Sequence, residues 1–94
     1  MPSYPIEVPR KGYGGTDSRL RREAEEFNRD AAILERHINE TFVASGQHRK
    51  QFLYGYIAID TGIPQDRVRD ILFTVDCGHN GFSVWKQKDG ETGS

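Results

Sequence analysis

The stretch Tyr54–Phe73, YGYIAIDTGIPQDRVRDILF, decides how this chain is read. Two amphipathic runs flank Gly62, with the small Ala58 four residues before it and Val68 six after it. Two helices joined by a tight turn approach closely at one point, so a small residue is needed there, and Ala58 supplies it. A glycine ends the first helix in the left-handed conformation that a Cβ would penalise. Pro64 suits the first turn of the second helix, where its missing N–H costs nothing. Ile57, Ile63, Val68 and Ile71 then fill the angle between the two.

Working outward, Arg49–Thr61 is expected as a second helical run and Gln65 to about Thr74 as a third. Ahead of them lies a long first helix, from Asp17 to about Ala44, free of proline and glycine. Its small and apolar positions are Leu20, Ala24, Phe27, Ala31, Leu34 and Ile38, in alternating steps of four and three. That is one helical face, with Thr16, Asp17 or Ser18 as N-cap and Gly46 near the end. After the helices, Asn80-Gly81 predicts a type I′ hairpin turn between TVDCGH and FSVWKQ. Phe82 and Val84 then share one strand face, and Ser83 and Trp85 the other.

The organisation expected is a flexible N-terminal arm over 1–16, which carries Pro2, Pro5, Pro9 and three glycines. A long helix over 17–45, a helix-and-hairpin unit over 46–87 and a polar tail over 88–94 follow. The fold class is mainly α with a small β-hairpin. With 94 residues there is room for one small core, and at that size self-association adds needed stability.

From about Gln47 to Lys86 the small residue, the glycine and the apolar positions together resemble the helix-turn-helix motif. With the Asn80-Gly81 hairpin added, the arrangement is similar to a winged helix-turn-helix domain. The resemblance implies that the helix from Gln65 enters a DNA major groove. Gln65, Arg67 and Arg69 would read bases or hold phosphates, Arg49 and Lys50 would meet the backbone, and Asn80 and Lys86 would act from the wing. Arg10 and Lys11 would enter a minor groove. The protein so implied is a dimeric transcriptional regulator on a pseudo-palindromic site, with recognition helices about 34 Å apart.

Charge runs against that implication. The chain has 13 basic and 14 acidic residues, without the basic excess of a nucleic-acid binder. Asp66 and Asp70 fall on the outward side of the recognition helix, where phosphates would repel them. The alternative is a winged-helix protein-interaction module, with Phe73 meeting the partner.

The first helix outruns the core of so small a domain, since each residue adds 1.5 Å. Leu20, Ala24, Phe27, Ala31 and Leu34 therefore form a candidate dimerisation seam, while Ile38 and Phe42 reach the core. The run before Gly62 carries a second apolar stripe, Phe52, Tyr56 and Ile59, which needs the long helix or another subunit to cover it.

No enzyme is expected. Cys77, His79 and Asp76 lie close in sequence, but His37 and His48 sit on other elements and a zinc site needs three or four ligands. Gly12, Gly14 and Gly15 lack the strand and GK[ST] ending of a phosphate loop. No cofactor is implied. The single cysteine, the lack of a membrane-length apolar run and the N-terminus without a signal-like core point to a cytoplasmic protein.

Overall fold

The computed structural model describes residues 2–86. In chain order it contains β1 (Ser3–Tyr4), α1 (Ser18–Ser45), β2 (Arg49–Leu53), α2 (Tyr54–Thr61), α3 (Gln65–Leu72) and β3 (Gly81–Lys86). The architecture is mainly α, with one three-stranded mixed sheet in the order β1-β3-β2. The tail expected over 88–94 lies outside the described residues.

Asp17 starts α1: its carboxylate accepts from the Arg19 N–H at 2.9 Å, satisfying one of the donors that a helix N-terminus leaves open. After the helix's 28 residues Gly46 ends it, donating its N–H to the Val43 carbonyl. The buried positions along α1 are Asp30, Ala31, Leu34, Ile38 and Phe42. The four apolar ones meet Phe52, Ile57, Val68, Ile71, Leu72, Phe82 and Val84 in the core.

Three expectations are corrected. The arm expected over 1–16 is built into the domain from Pro2 to Lys11. Ile6 and Val8 are each only 3% exposed, and the backbone is fastened to one stripe of α1 by side chains. Asn39 accepts the Ile6 N–H at 2.9 Å and returns a bond to the Ile6 carbonyl, Glu35 accepts from Val8 at 2.8 Å, and Asn28 accepts from Lys11 at 2.7 Å. From Ile6 to Lys11 the segment runs beside no strand of the described residues, so the polar side chains of α1 supply much of what a sheet would otherwise give its backbone.

The second correction concerns Arg49–Thr61. Its first five residues are a strand, and the helix begins at Tyr54. Pairing with β3 decides the matter: Lys50 lies opposite Val84 and Phe52 opposite Phe82, with the two phenylalanine rings 6.2 Å apart.

The third is the hairpin. TVDCGH forms no strand, and β3 pairs with β2 and, in parallel, with β1. Neither Asn80 nor Gly81 takes a positive φ, so the turn is not type I′. Glycine at 81 answers a different need, because a Cβ there would fall on the Phe52 carbonyl of the neighbouring strand. The alternation within β3 is as expected: Phe82 and Val84 face the core and Trp85 lies outward.

Candidate functional site

The turn joining α2 to α3 is built as its spacing implies. Gly62 has φ 77° and donates to the Ala58 carbonyl at 2.9 Å. The Thr61 hydroxyl donates to the Ile57 carbonyl at 2.7 Å and accepts from Ile63 N–H at 3.3 Å, which pins the chain as it leaves α2. Ile57, Ile63, Val68 and Ile71 are buried in the angle.

Fixed in this way, α2 turns an apolar side outward. Tyr56 is 67% exposed and Ile59 78%. Between them and the start of α3 runs a groove of about 760 Å³. Gly55, Tyr56, Ala58 and Ile59 of α2 line it, together with Leu53 and the turn residues Gly62, Ile63 and Pro64. Gln65 and Asn80 supply polar groups, and among the described residues no charged side chain lines it.

The outward side of α3 carries Asp66, Arg69, Asp70 and Phe73, all exposed. Among the described residues neither aspartate has an ion-pair partner. Arg67 turns the other way: its Nε donates to Asp30 Oδ2 of α1. Asp30 is 7% exposed, and a buried carboxylate needs such a partner. Arg69 shares a corner with the 73–80 segment, where the Tyr54 hydroxyl donates to the Gly78 carbonyl at 3.1 Å. Burial pushes the Tyr54 phenol above its ordinary pKa, with Asp76 and Cys77 adding to the rise and Arg69 opposing it.

The residues singled out for DNA contact are therefore dispersed. Gln65 and Asn80 meet at the groove, and Arg69 lies one turn further along α3. Arg67 is taken up by α1. Arg49, Lys50 and Lys86 cluster at the far end of β2 and β3, about 10 to 13 Å from Leu53 along a strand rising about 3.3 Å per residue. There Arg49 lies 4.8 Å over the Trp85 ring and Lys50 5.7 Å over Phe52. Arg10 donates to the Val8 carbonyl and pairs with Glu35, and the Lys11 ammonium sits 4.4 Å over Phe27.

The seam residues of α1 are divided too. Ala31 and Leu34 are fully buried within their own chain, Phe27 and Ala24 are half-buried, and Leu20 stays 44% exposed. Of the second stripe, Phe52 enters the core while Tyr56 and Ile59 remain uncovered. That stripe was the sequence signal for the groove. The arm had no comparable signal beyond Ile6 and Val8 standing two apart.

Among the described residues no group of three or more metal-ligating side chains occurs, and Cys77 is exposed. No helix of the described residues is long and apolar enough to cross a membrane. Comparison with protein-family models, curated proteins and solved structures finds no match to this chain.

Proposed function

We propose that this chain is a protein-interaction module of the winged-helix type, which docks apolar side chains of another polypeptide in the groove beside α2. The fold reading is supported by the α2–turn–α3 unit and by the pairing of the strand before it with the strand after it. In place of a wing hairpin stands the 73–80 segment, held by Tyr54.

The observation that carries the functional reading is the groove flanked by Tyr56 and Ile59, whose described lining residues include no charged side chain. Contiguous exposed apolar surface on a small domain marks an interaction site. A DNA-reading face needs cations aimed at phosphates. Here α3 has Arg69 alone uncommitted to α1, against Asp66 and Asp70, which have no ion-pair partner among the described residues.

Two selections run side by side test the proposal. A displayed library of random peptides should enrich sequences with a bulky apolar anchor, and Ile59→Glu should abolish their binding. A pool of random duplexes at low salt should enrich nothing. Enrichment of one duplex sequence, lost on Arg69→Ala, would overturn the proposal in favour of DNA recognition by Gln65, Arg69 and Asn80.

A further inference from the structure

Resting on the docking reading, we propose that the partner reaches the groove as an extended, acidic segment of another polypeptide, added as a further strand along the open edge of β2. The sheet order β1-β3-β2 leaves β2 at an edge, and the register says which of its groups stay open. Tyr54 N–H donates to the Asn80 carbonyl at 2.8 Å and Lys86 N–H to the His48 carbonyl at 2.7 Å. Bonded and non-bonded pairs alternate in an antiparallel ladder, so Lys50 and Phe52 bond to β3 while Arg49, Gln51 and Leu53 turn their N–H groups outward. The carbonyls of Arg49 and Gln51 point the same way. Among the described residues none of these groups has a hydrogen-bond partner. An added strand meets donors and acceptors at that spacing, which a helix, bonded within itself, does not.

The edge opens on a cavity of about 300 Å³. Residues 50–53 line it in succession, faced by His37 and Thr41 of α1. Side chains on one face of a strand recur at every second residue, so four in a row present the backbone edge. Leu53 and Tyr56 line both this cavity and the groove beside α2. A strand laid along β2 therefore leads into the groove.

Charge sets the composition of that strand. Arg49 and Lys50 have no ion-pair partner among the described residues, whereas Asp60, which also lines the cavity, has His37 Nε2 at 3.6 Å. The segment carries its carboxylates opposite Arg49 and Lys50 and its apolar anchor about four to six residues away, the length of β2 and the step into the groove. The β2 of a second copy, RKQFL, would bring like cations and no carboxylate, and charged edges disfavour such pairing.

The probes are the peptides that the random library enriches on the full chain, which should share carboxylates and a bulky apolar anchor. Bound to the isotope-labelled chain, they should slow hydrogen exchange at the Arg49, Gln51 and Leu53 amides, with Lys50 and Phe52, already bonded, changing less. Gln51→Pro removes one outward N–H and spares the ladder to β3, as proline on an edge strand can, and should weaken the peptides about tenfold. Arg49→Glu should weaken them about fivefold. If Gln51→Pro unfolds, the wild-type exchange data decide.

Peptides that lose binding on Ile59→Glu, yet leave the three amides exchanging as in the free chain, would overturn the added strand and leave docking in the groove standing. Slowing of the same amides as the chain alone is concentrated would assign the edge to a second copy and overturn the proposal as well. A library that enriches nothing removes the docking reading and this one together.

Discussion

Substituting Ile6 by alanine tests whether the N-terminal segment completes the core. Ile6 is 3% exposed, beneath a backbone tied to Asn39. The change removes three carbons, worth about 0.8 kcal/mol each, or about 2.4 kcal/mol of transfer free energy. A residual cavity raises the cost toward about 3 kcal/mol, within the range of such truncations. For a domain with about a tenth of a kcal/mol per residue in hand that is a large fraction, and it should lower Tm by roughly 10 to 20 °C. Urea unfolding followed by circular dichroism gives the direct measure: the midpoint should fall while the slope m stays constant. Because Ile6 acts within its own chain, the loss should appear at every protein concentration. Asn39→Ala should cost about 1 to 3 kcal/mol, since it orphans both polar groups of the Ile6 backbone. A change below about 0.5 kcal/mol for Ile6→Ala, the level of an ordinary surface substitution, would refute the packing of this segment.

Three further outcomes are expected. Arg67→Ala should destabilise by about 2 kcal/mol, less than the full effect of breaking a buried pair because its side chain is 40% exposed; an unchanged urea midpoint would mean that Asp30 does not depend on it. Gly62→Ala should cost about 1 kcal/mol or more and Gly62→Val more still, because a Cβ is forced into positive φ; equal midpoints for all three proteins would remove the turn. Tyr54 has its phenol pKa raised in the fold, so its contribution is fully present below the ordinary value of about 10 and is lost as pH rises through the folded value. Stability of the wild type should therefore fall more steeply above pH 10 than that of Tyr54→Phe, and parallel curves would contradict the burial.

The α2–turn–α3 unit was legible because its determinants are local: Gly62, Ala58 and the apolar spacing act within twenty residues. The α1 periodicity was legible for the same reason, and so was the inward face of Phe82 and Val84. What α1 packs against was not. Leu34 and Ala31 read as a seam seeking a partner chain, since the residues that help enclose this helix, Ile6 and Val8, stand among prolines and glycines that suggest a loose arm. Likewise β2 read as helix because the partner that makes it a strand arrives only after α3. Asn80-Gly81 misled through its local strength: the dipeptide favours a hairpin, but TVDCGH had no strand to offer. The groove was half visible, because Tyr56 and Ile59 announced a second apolar side without showing what it faced.

The central position of β3 has a kinetic consequence. Both β1 and β2 pair with it and not with each other, and Ser3 must find Trp85 across nearly the whole described chain. Helices and the α2–α3 turn can form early from neighbouring residues, but no strand has a partner until β3 docks. Closing loops of that length is slow, and folds dominated by such distant pairings fold slowly. The sheet should therefore assemble in one late, concerted event. In hydrogen-exchange labelling during refolding, protection at Phe52, Val84 and Trp85 should rise together, after that of the α1 amides.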